Sequence, residues 1–180
     1  MPVRLATPMD APQLADIYRP YVEYTCFTFE TEAPNAGVFA QRIAQTLAFF
    51  PYFVFEEEGR VLGYAYAHRF HERAAFDWSC ETSVYVDCRR RQGGVGHALY
   101  GRLLPALGRM GFAKAYAVLG CPNPISERFH LAEGFALEAE LPDVGFKHGA
   151  WHSVKYFALT LNQPAGPLAR PRAYKEEQEP

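Results

Sequence analysis

The sequence predicts an α/β (α+β) domain built around a β-sheet, and three observations carry that reading. Residues 78–87 alternate strictly from face to face, residues 95–110 carry an apolar stripe at helical spacing, and Glu58-Gly59 joins two β-rich runs as a hairpin turn. A chain of 180 residues that is 49% hydrophobic and 21% charged suits one globular domain with a real core, assigned here to residues 1–162.

The elements follow in order. Residues 2–7 (PVRLAT) form a short strand, and Asp10 is placed to cap a helix running to about Tyr21, with Ala11, Leu14, Ile17, Tyr18 and Tyr21 at helical spacing. Residues 36–49 make a second helix, stopped by Pro51. Residues 52–70 form the hairpin. The strand at 78–87 puts Trp78, Cys80, Thr82, Val84 and Val86 on one face and Ser79, Glu81, Ser83, Tyr85 and Asp87 on the other, which is polar-lined. The helix at 95–110 buries Val95, Leu99, Leu103, Leu107 and Met110 and ends at Gly111. Pro105 lies inside it and removes the hydrogen bond to the Gly101 carbonyl, a loss of ~3 kcal/mol in a straight helix, so a bend is expected. A strand at 114–120, a short helix at 123–134, and strands at 135–141 and 153–161 complete the domain. From Gln163 to Pro180 the chain is Pro-rich and charged and reads as a flexible tail. No internal repeat is visible.

Composition narrows the function. Net charge is -2 with a pI near 6.3, which gives no generic electrostatic attraction to nucleic acid or anionic lipid. MPVRLATPMD lacks a basic segment followed by an apolar one, and apolar runs are short, so a cytoplasmic protein without membrane attachment is expected. Cys26, Cys80, Cys88 and Cys121 show no C-x-x-C pair and no clustered His, and His68, His71, His148 and His152 have no ligand spacing with carboxylates; no metal site is expected.

RRRQGGVGHALY (89–100) carries the first functional signal, three arginines and a Gly-Gly-Val-Gly turn opening a helix behind a strand. A phosphate loop of the P-loop kind needs Lys and Ser/Thr after its glycines, but His97 and Ala98 follow Gly96. A dinucleotide fingerprint needs a third Gly where Leu99 stands. What remains is bare backbone N–H groups converging at a helix N-terminus, which suits a pyrophosphate; the same glycines also serve as a tight strand-to-helix turn.

Arg91-x-x-Gly94-x-Gly96 in that setting resembles the acyl-CoA pyrophosphate loop of the GCN5-related N-acetyltransferases (GNAT). AAFDWSCETSVYVD, RRRQGGVGHALYGRLL, LGCPNPISERFHLAEGF and GFKHGAWHSVKYF, in that order, resemble the phosphinothricin acetyltransferase branch of that superfamily. The resemblance implies a central, mixed but mostly antiparallel twisted sheet of six to seven strands with flanking helices, two strands splaying into a V that holds acetyl-CoA. Backbone groups of Val84, Tyr85 and Val86 would pair with the pantetheine arm as an added strand. Arg91, Gln92, Gly93, Gly94, Val95, Gly96 and His97 would cradle the pyrophosphate, and the Asn123 side chain would reach the same arm.

For chemistry the resemblance points to Glu81 as general base, because an amine protonated at neutral pH has no lone pair with which to attack a thioester. Partial burial among Trp78, Tyr85 and Phe76 would raise its pKa toward working pH. His130 takes a supporting role, protonating the departing thiolate or orienting the site. Phe29 and Arg73 match substrate-pocket positions, Arg73 for the acceptor's anionic groups; His71 stands where the nearest relatives place a Lys. The implied reaction moves acetyl from acetyl-CoA to the α-amine of a small amino-acid analogue, such as phosphinothricin or methionine sulfoximine or sulfone, in a homodimer. A CoA-binding module without catalysis is the other reading.

Overall fold

The computed structural model describes residues 2–90, 93–163, 166 and 169–176. Its spine is a seven-stranded sheet in the order β1-β2-β3-β4-β5-β7-β6. The strands are β1 (Val3–Leu5), β2 (Tyr52–Glu57), β3 (Arg60–Arg69), β4 (Ser79–Val86), β5 (Lys114–Gly120), β6 (Ala136–Lys147) and β7 (Ala150–Thr160). Helices α1 (Ala11–Tyr24) and α2 (Ala36–Leu47) cover one face; α3 (Val95–Met110) covers the other, and α4 (Pro124–Ala132) follows β5. Every neighbouring pair is antiparallel except β4 and β5, which run parallel.

Alternation along β4 sorts the core into two layers. Cys80, Thr82, Val84 and Val86 turn toward α3, whose Val95, Leu99, Leu103, Leu107 and Met110 are all buried, while Tyr85 packs on the α1/α2 side. Gly63 in β3 lets α3 approach: a Cβ there would lie 2.8 Å from Val95 Cγ1. The β2–β3 hairpin turns at Glu58 and Gly59 with φ of 50° and 77°, the left-handed pair that matches strand twist.

Four expectations need correcting. Asp10 is the N-cap residue of α1, but its side chain makes no capping bond: Pro8–Asp10 form a 3-10 turn, and the carboxylate points back to accept the Thr7 N–H (2.7 Å) and two Arg4 hydrogen bonds (2.7 and 2.9 Å). Helix α1 then runs three residues past Tyr21, through Pro20. Helix α3, by contrast, runs through Pro105 to Met110 and closes on left-handed Gly111 as expected.

Strands β6 and β7 are longer than the segments 135–141 and 153–161, meeting at a tight turn where His148 and Gly149 have φ of 50° and 79°. Pro142, which masks a strand in the sequence, is tolerated because β6 is the sheet edge and the register slips between Leu141 and Gly145. Finally, residues 169–176 are docked, where a flexible tail over 163–180 is expected from composition. Trp78 Nε1 donates to the Ala169 carbonyl (2.9 Å), Arg172 N–H to Met110 (2.8 Å), and Tyr174 N–H to Phe49 (2.9 Å). The Tyr174 ring meets Phe53 edge-on with centroids 5.9 Å apart, so one aromatic anchor offsets the polar composition around it.

Tyr174→Ala is therefore expected to lower the unfolding free energy by ~1–2 kcal/mol, the scale for a partly buried aromatic. Urea melts check it; a change below a few tenths would mean the segment is not held.

Candidate active site

The site forms where β4 and β5 part. Their ladder covers only Ser79↔Lys114 through Thr82↔Ala117; beyond that β4 stays with β3 to Val86 and β5 stays with β7 to Gly120. A parallel pair abandoned midway leaves two strand edges facing a gap. The resulting cleft has a volume of about 320 Å³ and passes between Val84–Val86, Ala117–Leu119, the start of α3 and one side of α4.

Peptide alternation decides which backbone groups face it. Asp87 donates its N–H to Leu62 in β3, so Tyr85, two residues back, also turns its N–H and C=O toward β3, while Val84 and Val86 turn theirs toward the gap. The Val86 carbonyl accepts from the Tyr21 hydroxyl (2.6 Å). Tyr85 thus contributes its ring, held edge-on by Tyr18 (4.8 Å) and Tyr21 (5.2 Å), rather than its backbone, a correction to the uniform Val84–Val86 expectation.

At the far end of the cleft stands the N-terminus of α3. Gly94 is its N-cap at φ 72°, a left-handed conformation that favours glycine, and no side chain caps the helix. The first ladder bond is Ala98 N–H to Gly94 (2.8 Å), so the N–H groups of Val95, Gly96 and His97 precede the ladder and carry the positive end of the helix dipole. Gly96 admits Phe129, whose Cε2 would be 3.1 Å from a Cβ there. Those uncapped donors beside an open strand edge fit a ligand with a diphosphate at one end and an amide-bearing arm. His97 lines the cleft and pairs through Nδ1 with Glu133 Oε1 (2.9 Å), tying α3 to α4. Asn123 also lines it; its Oδ1 caps α4 by accepting Ser126 N–H (3.3 Å), leaving the amide NH₂ for the cleft. Gly93 lies in the turn before Gly94, and Arg91 and Gln92 lie outside the described residues.

His130 lines the cleft and is buried. Its Nδ1 lies 2.8 Å from the Ser126 carbonyl, which can only accept, so the hydrogen is on Nδ1 and Nε2 accepts from the Tyr100 hydroxyl at 3.1 Å. Burial pulls its pKa down to about 4, leaving the ring neutral. Neither nitrogen presents a proton to the cleft. Of the two roles expected for His130, this arrangement fits orientation. Tyr100 and Thr82 extend the chain: Tyr100 has given its hydrogen to His130, so the single hydrogen of the Thr82 hydroxyl is shared between the Tyr100 oxygen (3.1 Å) and the Tyr116 carbonyl (3.0 Å) at the fork itself.

Glu81 is one residue below the base of the cleft, on the α1/α2 face, between cross-strand partners His68 on β3 and Tyr116 on β5. His68 Nε2 is 3.6 Å from its Oε1. Burial raises the Glu81 pKa, while His68 and His71 pull it back. The expected neighbour Trp78 is on the opposite face holding the C-terminal segment; the aromatic wall is instead Tyr116, with Phe70 stacked on it at 4.1 Å and His71 against Phe70 and Phe76. Sequence reading missed His68, Tyr100, Tyr116 and Phe129, because register and helix placement bring them in. Arg73 is exposed on the loop after β3, with no ion pair among the described residues. Phe29 lies on β6, where a Cβ at Gly145 would overlap its ring. Among the described residues no ring stacking or cation–π contact joins Phe29 to His71 or Arg73. No cluster of metal-ligating side chains occurs among the described residues, and no described helix is long and apolar enough to cross a membrane.

The chain matches the acetyltransferase (GNAT) domain family over residues 3–154. It is similar to a phosphinothricin N-acetyltransferase of Streptomyces viridochromogenes, 36% identical over 92% of this chain and 90% of the relative. It is also similar to an L-methionine sulfoximine/L-methionine sulfone acetyltransferase of Salmonella typhimurium, 31% identical over 94% of this chain and 99% of that one. The fold superposes on a crystal structure of a GNAT superfamily phosphinothricin acetyltransferase from Sinorhizobium meliloti in complex with acetyl-CoA, with a TM-score of 0.85, 33% identity, and coverage of 89% of this chain and 88% of that chain.

Because burial depresses the His130 pKa from 6.5 to about 4, the unfolded chain binds the extra proton between those values. Stability is therefore expected to be intact above pH 6.5 and to fall by up to ~3 kcal/mol as pH drops to 4. Denaturant melts across that range, with His130→Gln losing most of the slope, check it.

Proposed function

The chain belongs to the GNAT acetyltransferase family, and from that premise we propose that it moves acetyl from acetyl-CoA directly to the α-amine of a small amino acid of the phosphinothricin or methionine sulfone kind. One observation carries the reading: a strand edge opened by the β4/β5 fork leads from an uncapped helix N-terminus to a half-buried carboxylate at its base. The names borne by similar proteins supply the acceptor class.

In this reading the diphosphate of acetyl-CoA takes the N–H groups at the start of α3, and the pantetheine arm runs along Val84 and Val86 with the Asn123 amide beside it. The thioester then reaches the fork. Glu81 removes a proton from the acceptor ammonium, and the freed nitrogen attacks the thioester carbonyl. The tetrahedral adduct collapses with cleavage of the C–S bond; the nitrogen's second proton goes to the coenzyme thiolate and the first leaves Glu81 for solvent. Raising the carboxyl pKa by burial makes Glu81 a stronger base while leaving it ionised above that pKa. His130 acts as a positioning residue through Tyr100, and Phe29, His71 and Arg73 belong to the acceptor side. No covalent enzyme intermediate is involved.

The reading extends to a single catalytic domain over residues 1–162, located in the cytoplasm and acting as a homodimer. Support for the dimer is the edge strand β6, which with β7 exposes Leu137, Leu141, Val144, Phe146 and Trp151.

Glu81→Gln is expected to cut turnover about a hundredfold or more while acetyl-CoA affinity persists. Thiol release against a panel of amino acids and calorimetry with coenzyme A measure the two separately. Unchanged turnover removes Glu81 from the chemistry, and coenzyme binding with no thiol release from any amine favours a binding module.

A further inference from the structure

Glu81 has a polar neighbour on the flank that faces away from the coenzyme cleft. His68 on β3 is its cross-strand partner, so the two side chains rise from the same face of the sheet, and His68 Nε2 lies 3.6 Å from Glu81 Oε1. Among the described residues no other ionisable side chain comes within ion-pair distance of that carboxylate. On the β5 flank stands the Tyr116 ring, with Phe70 stacked on it at 4.1 Å. The imidazole is thus held beside Glu81 by the β3–β4 ladder itself, with no loop intervening.

The other ring nitrogen fixes the hydrogen. His68 Nδ1 lies 2.9 Å from the Arg69 carbonyl, which can only accept, so the neutral ring carries its hydrogen on Nδ1 and turns the Nε2 lone pair toward Glu81. A lone pair facing a carboxylate is repelled, and the contact becomes favourable once a proton lies between them. The 3.6 Å gap is too short for a water in line between the two atoms, and closing it by about 0.7 Å makes an ordinary charge-assisted hydrogen bond.

The neighbouring ionisable groups are otherwise engaged. His71 lies against Phe70 and Phe76, with ring centroids 4.4 and 4.7 Å away, and Tyr66 lies 6.0 Å from the His68 ring. Cys80 and Tyr100 belong to the α3 face, and on the α2 side Arg42 holds Glu30 with hydrogen bonds of 2.8 and 3.1 Å. The Glu81 side chain is 25% exposed and that of His68 42%, so the imidazole is the wetter of the pair. An acceptor and a thioester at the fork would cover Glu81 from the cleft side, leaving the β3 flank as its way to water.

We propose that Glu81 and His68 act in series: Glu81 takes the proton from the acceptor ammonium, and His68 Nε2 takes it from Glu81 and passes it to water. An ammonium N–H bond breaks as the Glu81 O–H forms, and that O–H breaks as the Nε2–H forms. The resulting imidazolium, its Nδ1–H still on the Arg69 carbonyl, gives the Nε2 hydrogen to water and is neutral again. The inference rests on the acetyl-transfer reading and adds the step that readies Glu81 for the next turnover. With phosphinothricin or methionine sulfone as the amine, His68→Ala is expected to lower kcat about tenfold or more, with KM for acetyl-CoA within twofold of the unsubstituted protein. Added imidazole should restore most of that loss, increasingly as rising pH leaves more of it unprotonated. Glu81→Gln/His68→Ala should gain nothing from imidazole, because the added base stands behind Glu81. Unchanged kcat in His68→Ala, a loss that imidazole does not repair, or equal repair of the double variant overturns the relay while acetyl transfer stands. If the unsubstituted protein releases no thiol with either amine, both readings fall. Should His68→Ala not fold, the nitrogen-15 shifts of His68 in the unsubstituted protein at alkaline pH decide the matter. Hydrogen on Nδ1 with Nε2 bare is expected, and hydrogen on Nε2 rejects the relay.

Discussion

Everything in this molecule depends on where one ladder stops. Four residues of β4 pair with β5, and at Thr82 and Ala117 the pairing ends although both strands continue. Two edges of hydrogen-bonding groups are thereby exposed inside the domain, a costly arrangement unless something else pairs with them. The Thr82 hydroxyl, donating to the Tyr116 carbonyl and touching Tyr100, stands at the point of divergence; through His130 and Ser126 the same chain reaches α4. Neutral hydrogen bonds therefore brace the fork from below, and the helices that border the gap are tied to its apex.

The two ends of the cleft are electrostatically distinct, and each difference has a local cause. At one end a glycine N-cap supplies no side-chain acceptor, so the dipole of α3 is left for an anion. At the other, burial works against the charged forms of Glu81 and His130 alike but with opposite results for their pKa values: the carboxyl rises and the imidazole falls. A candidate base and a neutral acceptor thus both follow from the same low polarity.

The two faces of the sheet divide the labour. On the α3 side Leu99, Leu103 and Leu107, all fully buried, pack among Phe53, Phe112 and Phe157 and leave space at the cleft. The α1/α2 side is rich in tyrosine and keeps a cavity, because stacked rings on β2 and β3 fill a wall without filling the space above it. Glu81 opens onto that side, so the period of two in β4 separates its candidate base from Cys80 and Thr82, which face α3.

The sequence by itself determined the element order, the hairpin at Glu58-Gly59, the two faces of β4, the apolar stripe of α3 and the glycine opening at its start, since each of these is a period or a turn preference within one segment. Motif order likewise singled out Glu81, Asn123 and His130 as candidates. It could not tell that Val84 and Val86, but not Tyr85, present backbone to the cleft, nor that His68 and Tyr116 flank Glu81, because those facts belong to register between strands far apart in the chain. Composition misread residues 169–176, where a single half-buried ring at Tyr174 outweighs charged neighbours, and Pro142 hid an edge strand, where a missing outward N–H costs no ladder bond. Only the tertiary structure decided these points, since pairing and burial are relations between segments and a local pattern carries no information about its partner.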